Sequence, residues 1–144
     1  MNKKILLWIL VIFWMGLIFY FSSFNGIEST EQSQGFLYRT IRNSDNKDDL
    51  ILKLDPIIRK VAHCAIYSVL SILVYLLLKE YNLDSKKLIL FTFLICILYS
   101  ISDEIHQLFV SGRSAEIRDV IIDGIGITIG ILVLKIKDGL FLKN

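Results

Sequence analysis

Residues 99–113, which read YSISDEIHQLFVSGR, place two adjacent acids at the end of a strongly apolar segment. Asp103 and Glu104 follow the apolar run 88–98, and Gln107 comes one helical turn after Asp103. Carboxylates in such a place can act as general bases or pair with basic groups. Isolated at the centre of a membrane helix, each would cost about 2.5–3.5 kcal/mol. The stretch therefore predicts either a functional site or an ion-paired packing element.

Two further segments of the chain carry ionisable groups at helical spacing. Lys60, His63 and Tyr67 stand at positions i, i+3 and i+7, which places them on one helical face. Asp119 and Asp123 are four residues apart and share a face of a later segment. The predicted ligand-binding residues are Lys60, His63, Tyr67, Asp103, Glu104, Gln107, Arg113, Asp119 and Asp123.

Pairing between these groups would lower the cost of placing them in a membrane. We expect Lys60 or Arg113 to pair with Asp103, Asp119 or Asp123, since a paired charge costs far less than an isolated one. Because three predicted helices carry these residues at similar depth, the pattern predicts a polar pocket that opens to the outer face of the membrane.

Composition indicates an integral membrane protein. Of the 144 residues, 54% are hydrophobic, and the mean hydropathy is +0.59. The charged residues are clustered, which leaves long apolar windows between them. The net charge of +2 is too small to suggest a nucleic-acid partner.

The pattern predicts an all-α protein: one domain over 1–144 with four transmembrane helices in a bundle. The predicted helices cover about 5–24, 56–79, 86–110 and 114–136. Asp55 is the expected N-cap of the second helix with Pro56 at its first position, and Gly112 is the expected C-cap of the third. The longer extracytoplasmic segment between the first two helices can form a short interfacial helix around TEQSQGFLYRTIR.

Positive charges predict the orientation of the four helices. Lysines precede the first helix, crowd the turn between the second and third helices, and follow the fourth helix: Lys3, Lys4, Lys79, Lys86, Lys87, Lys135, Lys137 and Lys143. Since such residues accumulate on the cytoplasmic side, both termini are expected in the cytoplasm. The sequence GIGITIG contains Gly126 and Gly130 as a G-x-x-x-G pair, which predicts close packing against a neighbouring helix.

Catalytic chemistry is possible but not specified by a motif. The candidates are His63, Asp103, Glu104 and Asp123, any of which could act as a general base. No H-E-x-x-H or comparable pattern occurs, so no metal and no cofactor are expected. We expect Ser22 and Ser23 to terminate the first helix and His106 to lie on the surface.

Four segments together resemble the VanZ-like membrane proteins. They are FSS at 21–23, RKVAHCAIY at 59–67, SDEIHQLFVSGR at 102–113 and RDVIIDGIGITIG at 118–130. Their order, spacing and four-helix layout match that family over most of the chain. Three departures concern details of the pocket: SSFNG replaces a frequent SSQ followed by Pro-Gly, Ile66 replaces an acidic or aromatic residue, and Gly124-Ile125 replaces Asn or Thr after the second acid.

The resemblance implies a role at the cell envelope. The family's named member is associated with reduced susceptibility to teicoplanin, a lipidated antibiotic that acts on cell-wall precursors outside the membrane. A multi-pass protein of a Gram-positive bacterial plasma membrane is therefore expected. The expected partners are the bilayer itself, and a phospholipid, an undecaprenyl-linked precursor or a lipoglycopeptide.

Three functions stay open from the sequence. The first is a protein that binds a lipid headgroup, a precursor or a lipophilic glycopeptide at the outer leaflet. The second is a membrane enzyme that modifies a phospholipid or a lipid-linked peptidoglycan precursor. The third is a small transporter or assembly partner, against which stands the lack of polar residues in the apolar runs SILVYLLL, LILFTFLICIL and ILVL.

Overall fold

The computed structural model describes residues 2–41, 46–113 and 115–141, and over these ranges it contains helices and turns but no strand. The helices are α1 (Lys3–Ser22), α2 (Gly26–Thr40), α3 (Lys47–Lys79), α4 (Ser85–Gln107) and α5 (Ile117–Phe141). The expectation of an all-α protein is confirmed.

Three helices, α1, α3 and α4, are long and apolar enough to cross a membrane. The chain is therefore a multi-pass membrane protein. Helix α5 does not meet the same measure, because charged residues stand towards both of its ends and shorten its apolar run. It nevertheless runs beside α3, with Asp123 next to His63 near one end and Asp138 bonded to Lys79 at 2.6 Å near the other.

A helix does occur in the segment that follows α1, but it begins earlier than predicted. Helix α1 ends at Ser22, two residues before the predicted limit, and α2 starts at Gly26. A capping box fixes this start: the Asn25 side chain accepts from the Glu28 backbone N–H at 2.9 Å, and the Glu28 carboxylate accepts from the Asn25 N–H at 3.2 Å.

The predicted start of the second long helix at Pro56 is wrong. Helix α3 begins at Lys47, and Pro56 lies inside it. Asp55 is a buried helical residue instead of an N-cap: the Ser33 hydroxyl donates to its carboxylate, and the Arg59 guanidinium lies 3.6 Å away. A proline inside a helix forfeits one backbone hydrogen bond. Packing of α2 along this extension, with Leu37 and Ile51 buried, stabilises the helix across that point.

The turn after α4 also differs from the prediction. Helix α4 ends at Gln107 with Leu108 as its C-cap, so Gly112 is not the cap. Gly112 has a φ of +74°, and a Cβ on Gly26 would overlap its carbonyl group. The Gly26 N–H donates to the Ser111 carbonyl at 3.2 Å, so this turn is fastened to the start of α2. Helix α5 begins at Ile117; the predicted start, Ser114, lies outside the described residues.

Helix α3 is the centre of the bundle, and α5 packs closely against it. A Cβ added to Gly126 would overlap the Cys64 carbonyl, and one added to Gly130 would overlap Ser68 and Ser71. The close approach predicted from G-x-x-x-G is confirmed, and α3 is the partner.

Helix α1 is held by hydrogen bonds from aromatic side chains. The Trp14 indole donates to the Ile66 carbonyl at 2.9 Å, and the Tyr99 hydroxyl donates to the Met15 carbonyl at 2.6 Å. Near the start of α1, the Trp8 indole donates to the Tyr81 hydroxyl at 3.0 Å. These bonds fix α1 against α3 and α4 along its length.

Candidate functional site

A cavity of about 830 Å³ lies where α1, α2 and α3 meet the turn after α4 and the start of α5. Its wall has an apolar part and a polar part. Apolar side chains line one part: Ile18, Phe21, Phe36, Pro56, Ile58, Ala62 and Ile66. Polar and charged side chains line the rest, so the cavity suits a ligand with an apolar and a polar part.

Four cationic side chains line the cavity: Arg59, Lys60, Arg113 and Arg118. Among the described residues, the acidic side chains that line it are Glu116 and Asp119; the buried Asp55, which does not line it, lies 3.6 Å from Arg59. The lining therefore carries an excess of positive charge, which favours an anionic ligand.

Arg113 shows most clearly that the lining would gain from an anion. Burial lowers the pKa of its guanidinium, and the nearby Arg59 guanidinium lowers it further. The acids Asp103, Glu104 and Asp119 oppose this effect. Because both guanidinium groups line the cavity and repel each other, an anion bound there would relieve their repulsion.

Beneath the cavity, Asp103 is held by hydroxyl and amide donors. The Ser22 hydroxyl donates to Asp103 Oδ2 at 2.8 Å, and the Gln107 amide donates to the same oxygen at 3.3 Å. Asp103 is only 2% exposed, whereas Ser22 and Gln107 also line the cavity. These two side chains therefore separate the acid from the ligand space.

A second buried acid, Asp123, lies beside His63. Asp123 Oδ1 is 3.4 Å from His63 Nδ1, and Asp123 Oδ2 accepts from the Ser100 hydroxyl at 2.7 Å. Asp123 and Ser100 are fully buried, while His63 lines the cavity. The two facing atoms are close enough for electrostatic attraction, although they do not form a hydrogen bond in this geometry.

Glu104 and Tyr67 complete the buried layer. Glu104 Oε2 accepts from the Glu116 backbone N–H at 3.0 Å, which ties the start of α5 to α4. Among the described residues, five buried side-chain atoms have no hydrogen-bond partner: His63 Nδ1, Tyr67 Oη, Asp103 Oδ1, Glu104 Oε1 and Asp123 Oδ1. Additional hydrogen bonding would stabilise a layer of this kind, because unpaired buried polar atoms cost free energy.

Comparison with known proteins decides the family. The VanZ/LLP1 family model matches residues 7–138. The chain belongs to the VanZ-like family. No curated protein gives a significant match, and no solved structure does so. The four VanZ-like segments named above are the end of α1, the middle of α3, the end of α4 with its turn, and the first half of α5.

The VanZ-like residues singled out from sequence fall into two layers. Lys60, His63, Gln107, Arg113 and Asp119 line the cavity. Tyr67, Asp103, Glu104 and Asp123 are buried beneath it.

The predicted ion pairs are wrong over the part of the chain that the structure describes. Neither Lys60 nor Arg113 lies within 4.0 Å of a carboxylate there. Hydroxyl, amide and backbone donors and His63 surround the acids instead.

Sequence reasoning missed several residues of the VanZ-like site. Ser22 was expected only to end a helix, and Ser100 was not singled out, yet each donates to a buried acid. Arg118 and Glu116 were overlooked as lining residues. The FSS motif at 21–23 contains Ser22 and could have indicated that this serine belongs to the site.

His106 is not the surface residue that was expected. Its ring stacks on Phe19 with centroids 4.1 Å apart, and its Nε2 lies 3.2 Å from the Ser23 hydroxyl. It is half-buried and does not line the cavity. Within the described ranges, no three His, Cys, Asp or Glu side chains are arranged to hold a metal ion.

Proposed function

We propose that this VanZ-like protein binds the phosphate-bearing headgroup of a membrane lipid or lipid-linked cell-wall precursor. The observation that carries the proposal is the convergence of Arg59, Lys60, Arg113 and Arg118 on one cavity that also has an apolar wall. Arginine forks bind phosphate oxygens in pairs, and lysine adds a point charge.

The second part of the proposal concerns location. The cavity faces the outside of a Gram-positive bacterial plasma membrane, with both termini in the cytoplasm and α5 as a fourth span. Two observations support this arrangement: α5 runs beside α3 from His63 to Lys79, and the lysines at the opposite end from the cavity follow the positive-inside rule.

The biological role that fits such a site is protection of the envelope against lipidated glycopeptides. A protein that occupies a precursor headgroup, or the antibiotic itself, at the outer leaflet would interfere with teicoplanin at its site of action. This role is proposed from the family resemblance and from the amphiphilic cavity together.

A binding experiment tests the site directly. Purified protein in nanodiscs would be titrated with a short-chain phosphatidic acid, and the double variant Lys60→Gln/Arg118→Gln should bind at least about tenfold more weakly, because each charge-assisted contact contributes about 1.5–3 kcal/mol. The matched control is Lys53→Gln, an exposed lysine of the same helix outside the cavity. Equal affinity of the double variant and the control would refute the proposal.

A susceptibility experiment tests the role. A Gram-positive host would express wild type, Asp103→Asn, Asp123→Asn or Lys60→Gln, with membrane levels quantified and teicoplanin and vancomycin compared. We expect the variants to insert normally and to lose protection against the lipidated drug. Retained protection at equal membrane levels would mean that the polar cluster serves another task.

A membrane enzyme acting on the same lipid is the second candidate. It is favoured by His63, whose ring lines the cavity with the Asp123 carboxylate 3.4 Å from its Nδ1. His63→Gln or Asp103→Asn should abolish catalysis while sparing headgroup binding. A transporter is less well supported, since the polar lining is confined to one end of the bundle.

A further inference from the structure

Three neighbouring side chains connect the buried layer with the cavity: Ser100, Asp123 and His63. Ser100 donates to Asp123 Oδ2 at 2.7 Å, and Asp123 Oδ1 faces His63 Nδ1 at 3.4 Å. Ser100 and Asp123 are fully buried, so this arrangement has little freedom to rotate. A carboxylate 3.4 Å from Nδ1 favours the tautomer with the proton on that nitrogen, and a small rotation of the ring would complete the hydrogen bond. In that tautomer Nε2 has a free lone pair.

The ring presents its other edge to the ligand space. Nδ1 is buried, whereas the His63 side chain as a whole is 21% exposed and lines the cavity. The exposed edge is therefore the one that carries Nε2. A ligand phosphate held by Arg59, Lys60 and Arg113 would lie beside a nitrogen that can accept a proton from water.

The cations of the lining favour breaking a bond whose leaving group departs as an anion, since Lys60 is the one among these four that can give up a proton. Three of the four are arginines, which neutralise developing negative charge but do not give up protons. An alcohol leaving group needs a proton when its bond to phosphorus breaks. A phosphate leaving group departs as an anion and needs only charge stabilisation, which arginines supply.

We propose, resting on the proposed function, that the cavity hydrolyses the terminal phosphate of a lipid diphosphate. The oxygen of a water molecule forms a bond to the terminal phosphorus, and the bond from that phosphorus to the bridging oxygen breaks. The water proton passes to His63 Nε2 and then to solvent. The products are inorganic phosphate and the lipid monophosphate, which keeps the bridging oxygen. Asp123 and Ser100 are positioning residues.

The test measures binding and phosphate release on the same samples. The full chain in nanodiscs would be given a polyprenyl diphosphate and, separately, a diacylglycerol diphosphate, to distinguish the two lipid sources. We expect release of inorganic phosphate from at least one. His63→Gln should lower kcat by about 10²-fold or more with binding retained, since a general base contributes about 10²–10⁴-fold. The matched control, His106→Gln, should keep the wild-type rate.

The positioning residues have their own readout. Ser100→Ala and Asp123→Asn should lower kcat with little change in KM, and Asp123→Asn should shift the acidic limb of the pH–rate profile to lower pH, because the imidazolium loses its partner. Ser100→Ala lies away from the ligand space and serves as the second variant should His63→Gln fail to fold. A wild-type kcat in Ser100→Ala would contradict the proposed arrangement.

The remaining outcomes separate the two proposals. A wild type that binds the diphosphate and releases no phosphate overturns the hydrolysis and leaves the proposed function standing. A wild type that binds neither diphosphate nor monophosphate lipid overturns both. Equal release from a lipid monophosphate overturns the leaving-group argument, and an unchanged rate in His63→Gln overturns the role of His63.

Discussion

At the scale of single residues, two serines determine how the buried acids are accommodated. Ser22 and Ser100 belong to different helices, and each donates one hydrogen bond to an aspartate that is at most 2% exposed. A neutral donor satisfies one carboxylate oxygen without the desolvation cost that a buried lysine or arginine would add. The cavity cations Lys60 and Arg113 therefore do not pair with these two acids.

Replacing Ser22 by alanine should therefore destabilise the fold. The buried Asp103 oxygen would lose its nearest donor, which costs about 1–3 kcal/mol of the free energy of unfolding. Unfolding in mild detergent, followed by circular dichroism, measures the loss. The control is Ser23→Ala, whose exposed hydroxyl bonds to a carbonyl of its own helix and lies 3.2 Å from His106 Nε2; because both contacts are exposed to solvent, its change should stay within about 0.5 kcal/mol. A Ser22→Ala protein as stable as this control would contradict the account.

Helical spacing in the sequence predicted some of the residues at and near the cavity, whereas their hydrogen-bond partners could not be predicted. Helical spacing placed Lys60, His63 and Tyr67 on one face, and the structure puts two of them at the cavity and the third directly beneath it. The partner of Asp103 is Ser22, which is 81 residues away. Residues so far apart in the sequence show no local pattern that would reveal the contact. The prediction therefore paired the acids with basic residues, whereas the structure pairs them with hydroxyl groups.

At the scale of helices, one feature follows from backbone geometry and another from a tertiary contact. Gly126 and Gly130 let α5 approach the α3 backbone so closely that a Cβ at either position would overlap it. Asp55-Pro56 shows the converse: a dipeptide typical of a helix start lies inside α3, because Ser33 of α2 and Arg59 engage the Asp55 carboxylate. A tertiary contact from another helix decides that boundary, and local sequence does not contain it.

Gly126→Ala and Gly130→Ala should each destabilise the bundle by about 1–3 kcal/mol, because the added methyl group forces α5 away from α3. Gly16→Ala is the matched control in a transmembrane helix, since nothing lies within 4 Å of its added Cβ. That change should be neutral or stabilising by up to about 1 kcal/mol. Thermal unfolding monitored by size-exclusion chromatography compares the three. Equal thermal stability of all three variants would contradict the close packing of α5 against α3.

The start of α4 should give a small pH-dependent contribution to stability. The Asp84 side chain caps the helix by accepting from the Lys87 N–H at 3.0 Å, and this bond lowers the pKa of the Asp84 carboxyl. Because the folded pKa lies below the unfolded one, the contribution is present above about pH 4 and is lost as pH falls through the folded pKa. Asp84→Asn keeps an acceptor but removes the titration.

Thermal unfolding of wild type and Asp84→Asn at about pH 6 and about pH 3 measures this effect. The stability advantage of the wild type should shrink at the lower pH, since the carboxyl of the unfolded chain then binds a proton that the folded cap must release. An advantage that stays constant across this range would show that Asp84 does not titrate in the helix cap.

At the scale of the whole molecule, α3 is longer than a membrane is thick. Its 33 residues extend about 50 Å, against a hydrocarbon core of about 30 Å. In the proposed arrangement, the part of α3 that pairs with α2 extends beyond the core, and the cavity lies near the level where the helix leaves it. This height agrees with a ligand whose headgroup lies at the interface.

The proposed orientation can be tested with single cysteines in a background where Cys64 and Cys96 are alanines. In intact cells an impermeant maleimide should label Glu31→Cys on α2 but neither Lys87→Cys nor Lys137→Cys. Lys87 and Lys137 should become accessible only after lysis, the latter because α5 crosses beside α3. Labelling of Lys137→Cys in intact cells would show that α5 does not cross.

The bond from Trp14 to the Ile66 carbonyl gives the protein a built-in optical reporter. Ile66 lines the cavity, so a ligand that shifts this part of α3 would change the polarity and hydrogen bonding around the indole. The chain has two tryptophans, and the other one, Trp8, lies near Tyr81 at the opposite end. Trp8→Phe would therefore leave a single fluorophore whose emission follows occupancy of the cavity, without any attached label.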